Sequence, residues 1–196
     1  MSAHVLPPAP PVQRPRVLVV GSAFASAAVF MVFIGLIGIY LTARADVIGS
    51  GSAWLPKGST IPLQQPNTMF ITLLMSAVTL QWAVSAIAKN DRVNAYLALG
   101  LTLMLGIATI VMTTYLWHLM KLDVESGLQG VLIYTITGAH LVMLVLAMVF
   151  VALMALRALG GQFTALQHDG LTAAAVFWYA MVAVYALIWI SIYVTK

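Results

Sequence analysis

Apolar and polar positions alternate on a coarse scale along this chain. Five long apolar runs, at about 17–42, 67–88, 92–119, 129–157 and 171–194, are separated by short polar gaps, and almost every charged residue lies in the gaps. A helix crossing a hydrocarbon core ~30 Å thick needs roughly 20 apolar residues. Each run is that long. None shows the two-residue alternation or the ~10-residue length of a barrel strand, and in lipid only helices and closed barrels satisfy their own backbone groups. The pattern therefore predicts an all-α polytopic membrane bundle of five transmembrane helices over 17–196, preceded by a tail.

The gaps predict how the spans are arranged. Lys89-Asn90-Asp91-Arg92 is so short that the second and third helices must be antiparallel neighbours. Segments 121–128 and 160–170 join the later helices. The longest connection, 43–66, is rich in glycine and proline and carries one aromatic, Trp54; it predicts an ordered external lid or contact loop. Asn67 is the expected cap of the second helix, and Asp46 is expected just past the first. The 1–16 tail holds Pro7, Pro8, Pro10, Pro11 and Pro15, a composition that favours extended conformations and cannot bury a core. The first run is too long for the ~7–15-residue core of a cleaved signal and reads as a retained anchor. Arg14 and Arg16, directly before it, place the tail on the cytoplasmic side of a bacterial plasma membrane by the positive-inside rule. Five spans then put the carboxyl terminus outside.

Composition sharpens this. Hydrophobic residues are 62% of the chain and charged residues 7%, and mean hydropathy is +1.02, far from the ~25% charge of a soluble domain. The net charge of +4 is spread singly, with no basic patch of the kind nucleic acid requires. The absence of cysteine excludes disulfides, thiol chemistry and cysteine-ligated clusters. No carboxylate or lysine lies well inside a run, whereas transport and proton paths normally carry such groups. No proline interrupts one either.

Candidate chemistry is sparse. Of the four histidines, His4 lies in the tail and His168 in a connection. His118 ends the third helix. His140, roughly ten residues into the fourth, should lie roughly 15 Å deeper at ~1.5 Å per residue, so one heme iron could not take both. His140 reads as a neutral, hydrogen-bonded interior residue. Small residues recur at helical spacing: Gly21 and Ala25; Ala98, Thr102 and Gly106; Ala180, Ala183 and Ala186. Such faces let membrane helices approach closely. In the last span, Trp178 and Tyr193 are placed as interface-belt residues would be, while Tyr185 and Trp189 share a face.

Several segments, taken in order, resemble subunit III of the heme-copper cytochrome c oxidases in its short five-helix form. Met31-Val32-Phe33-Ile34-Gly35-Leu36, then Tyr40 and Ala43-Arg44-Ala45, look like the end of that family's first helix. Trp54-Leu55-Pro56 and Pro66-Asn67-Thr68 resemble its loop and next helix start. Tyr134-Thr135-Ile136-Thr137-Gly138-Ala139-His140 is similar to its Thr-Gly-x-His segment, and Phe177-Trp178 with Ile192-Tyr193 to its last helix. The chain also departs from the family. The family's membrane glutamates would fall near Val29 and Leu116. Its second histidine becomes Met143, and its Trp-His-Phe-Val-Asp motif becomes Trp178-Tyr179-Ala180-Met181-Val182.

The resemblance implies a non-catalytic subunit of a respiratory terminal oxidase. Heme and copper are then expected in the partner and none in this chain. The implied partners are heme-copper oxidase subunits I and II and membrane lipids, with a larger respiratory supercomplex as a further association and no nucleic acid. No catalytic, cofactor or metal residue is expected here. His140, Trp178, Tyr179, Trp82 and Arg44 are the candidates for lipid or subunit contact. The alternatives are an accessory subunit of another respiratory assembly, a small transporter or channel lined by hydroxyls such as Thr102, Thr109, Thr113 and Thr137, and a b-type cytochrome anchor.

Overall fold

The computed structural model describes residues 16–56, 58–165 and 167–195. The proline-rich tail 1–15, with Arg14 and His4, and Lys57, Leu166 and Lys196 lie outside the described residues. Five helices follow one another: α1 (Val17–Gly49), α2 (Gln64–Ala88), α3 (Arg92–Met120), α4 (Leu128–Leu159) and α5 (Asp169–Ile188). A 3-10 turn, Val124–Ser126, precedes α4, and a π turn, Trp189–Val194, extends α5. All five are long and apolar enough to span a membrane.

Three of the helices stop by the same device. After α1, Ser52 N–H reaches back to Val47 C=O and Gly51 N–H to Ile48 C=O, with Gly51 at φ +80°. Asn90 plays the left-handed part after α2 and Gly161 after α4, with the same pair of backward bonds. This is the Schellman closure, which satisfies carbonyls that a helix end leaves free. Asp91 follows Asn90 at once and caps α3: its carboxylate accepts from Asn94 N–H at 3.2 Å and from the Asn94 amide at 2.5 Å. Those two bonds hold the Asp91 carboxyl below its ordinary range. Asn90 also accepts from Ala165 N–H at 3.1 Å, which ties the α4–α5 connection to the α2–α3 turn.

Two helix boundaries depart from the apolar pattern. α1 continues through Ala43-Arg44-Ala45-Asp46 to Gly49, so Asp46 is helical, not beyond the helix. Hydropathy marks where a membrane ends, and good helix formers carry the helix past it. α2 begins at Gln64, with Leu63 at its cap and no side-chain bond there. Asn67 is therefore not a cap. Pro66 sits in the first turn, where its missing N–H removes no helical bond.

The helices are not equivalent. In the most apolar stretch of α5, 56% of residues are buried, against 17% in α1. α5 packs against α1, α2 and α4, and α3 bridges α2 and α4. Small residues make this possible: Gly170, Ala173, Ala174 and Ala175 are buried on α5, and a methyl group on Gly170 would stand 2.9 Å from Met154 Sδ. The Ala180, Ala183, Ala186 series is not one contact face. Ala180 is buried, Ala183 exposed and Ala186 intermediate, because three-residue steps drift around a helix of ~3.6 residues per turn. The connection after α1 folds over one end of the bundle. Trp54 and Ile61 are buried, and Thr60 N–H donates to Met120 C=O at 3.3 Å.

Candidate functional site

The interior between α2, α3 and α5 is polar in an apolar bundle. Trp178 is fully buried, and its Nε1–H donates to Ser76 Oγ at 3.0 Å, while Ser76 donates to Leu73 C=O at 2.6 Å. Trp178 is thus a core residue and not an interface-belt residue; so is Tyr193, 1% exposed. The Trp178 ring edge fits against Gly106, where an added methyl would come within 3.0 Å of both the ring and Met148 Sδ. Close approach is the use of the small residue there. Thr79 and Thr102 hydroxyls meet at 2.8 Å. Thr102, Thr109, Thr113 and Thr137 are all buried, and each hydroxyl reaches the carbonyl four residues back in its own helix. Hydroxyls engaged in this way are poor material for a solute path.

His140 lies in the core between α1 and α5. Its Nε2 is 3.1 Å from Met181 C=O. A carbonyl only accepts, so Nε2 carries the proton. Phe33 meets the imidazole edge-on at 6.3 Å and Tyr185 flanks it at 5.4 Å. Tyr185 in turn donates to Pro66 C=O, and Trp189 to Asn67 Oδ1 at 2.8 Å, with Phe70 stacked on Trp189 at 5.2 Å. The face shared by Tyr185 and Trp189 therefore docks α5 on α2. Among the described residues no three of His, Cys, Asp or Glu converge as metal ligands.

The remaining candidates are scattered. Tyr179 donates to Gln81 Oε1 at 2.7 Å, next to Trp82, whose side chain is 44% exposed on α2. Arg44 stands at the opposite end of the bundle, half-buried near Tyr40 and Trp54. The structure thus brings Tyr179 to the Gln81–Trp82 turn, and leaves His140 and Arg44 apart from them.

What sequence reasoning missed is a cleft. Val17, Leu18, Gly21, Ser22 and Ala25 of α1, Leu146 and Phe150 of α4 and Phe177 of α5 line an apolar space of about 610 Å³. Its size is that of a small-ligand pocket, ~300–1,000 Å³, but it opens sideways into what would be the bilayer. Ser22 anchors one wall, its hydroxyl donating to Ala173 C=O at 2.6 Å. The pair Gly21 and Ala25 was the one available signal, and it pointed to helix packing. Instead a methyl on Gly21 would meet nothing within 4 Å, so these small residues make room and not contact. Along the α1 stretch from Val17 to Ala25 the cleft runs ~12 Å at 1.5 Å per residue, the scale of a lipid chain segment.

Comparison with known proteins gives a family model, described as cytochrome c oxidase subunit III, that matches residues 16–196. The chain is similar to cytochrome c oxidase subunit 3 of Cyprinus carpio, at 29% identity over 79% of this chain and 60% of the relative. It is similar to that of Struthio camelus at 30% identity over 73% of the chain and 56% of the relative, and to that of Sus scrofa at 29% over 79% and 60%. The chain thus spans about 60% of the length of the curated relatives it matches.

Proposed function

We propose a function from one premise: the chain belongs to the cytochrome c oxidase subunit III family. On that premise it is a non-catalytic subunit of a respiratory terminal oxidase. It packs against heme-copper subunit I, beside subunit II, and holds membrane lipid. Heme and copper, held by the partner, supply the electron-transfer chemistry. This chain supplies packing and the exclusion of water. The observation that carries the reading is the apolar cleft between α1, α4 and α5, in a bundle whose interior polar groups are largely spent on one another. Purification from native membranes in mild detergent tests it. The chain is expected to elute with a heme- and copper-bearing partner. Elution alone, with a Soret band of its own or with solute flux in liposomes containing only this chain, would sink the reading.

The same reading places the chain in a bacterial plasma membrane with its amino terminus cytoplasmic. Among the described residues, the end of the bundle holding Arg16, Lys89, Arg92 and Arg157 carries four basic residues against Asp91 and Asp169, whereas the other end has Arg44 and Lys121 against Asp46, Asp123 and Glu125. Basic residues favour the inner side. Because the chain has no cysteine, a single Val124→Cys should react with a membrane-impermeant maleimide on intact cells and Lys89→Cys should not. The reverse pattern would invert the topology.

A further inference from the structure

We draw no further inference here: the strongest candidate, the exposed face of α1 on which the small residues Gly21, Ala28, Gly35, Thr42 and Gly49 recur at every seventh position, is an unpartnered stripe of a membrane helix, and nothing in the structure shows what covers it.

Discussion

Trp178→Ala is expected to destabilise the bundle by about 3–5 kcal/mol, the range for removing a large buried aromatic ring. The ring has no exposure, bonds to Ser76 of α2, and closes on Gly106 of α3, where an added methyl would stand 3.0 Å from it. Its removal leaves a cavity that rigid, small-residue packing on α5 cannot close. It also strips Ser76 Oγ of its donor partner, although Ser76 keeps its own bond to Leu73 C=O. Trp178→Phe separates the two effects. It keeps most of the ring and loses only the interhelical hydrogen bond, which in membrane proteins averages ~0.6 kcal/mol and reaches about 1.7. Thermal melting in detergent should therefore rank wild type, Trp178→Phe and Trp178→Ala in that order, with the larger gap at the second step. A Trp178→Ala melt indistinguishable from wild type would remove Trp178 from the core of this account.

The second large effect is functional and concerns the cleft. Gly21→Trp combined with Ala25→Trp should fill the space between α1 and α4 while leaving the fold intact, because Gly21 faces open space and Ser22 keeps its bond to Ala173. Heme and copper content of the assembled oxidase should be unchanged. Lipid phosphorus retained per complex should fall, and the oxidase should inactivate severalfold faster during turnover. Apolar burial at ~25 cal/mol per Å² is non-directional, so indole rings can occupy the cleft as readily as acyl chains, without their mobility or their link to the bilayer. Unchanged lipid content in a variant with normal heme spectra would separate the cleft from lipid holding.

Much of the architecture is legible in the hydropathy pattern because a membrane imposes one strong rule, internal satisfaction of every backbone group. That rule gives the number of helices, and the short Lys89–Arg92 turn gives one adjacency. It cannot say which helix is central. All five spans are apolar enough to face lipid, so the burial of α5 follows from which small residues meet which neighbours, a property of pairs and not of segments. The same gap explains why Trp178 and Tyr193 read as belt residues. Their positions near helix ends matched a belt, but their partners, Ser76 and the Tyr40 phenol, lie more than a hundred residues away in sequence. Asn67 resembled a cap for a similar reason: its local context suited the role, and only the fold brings Trp189 Nε1–H to its side chain. His140 was legible as an engaged interior residue because one polar group in a long apolar run has few other options. The cleft was not, since an absence of contact leaves the same small residues as close contact does.

Under the proposed function, this chain serves a catalytic partner and holds no redox group itself. Deleting it from its native host and purifying the oxidase that remains tests this most directly, with heme and copper content and the time course of oxygen consumption measured on the same preparation. Heme and copper per catalytic subunit are expected to be unchanged and the initial rate normal, followed by early loss of activity during turnover. Missing heme or copper, or a progress curve as long-lived as that of the intact complex, would contradict it.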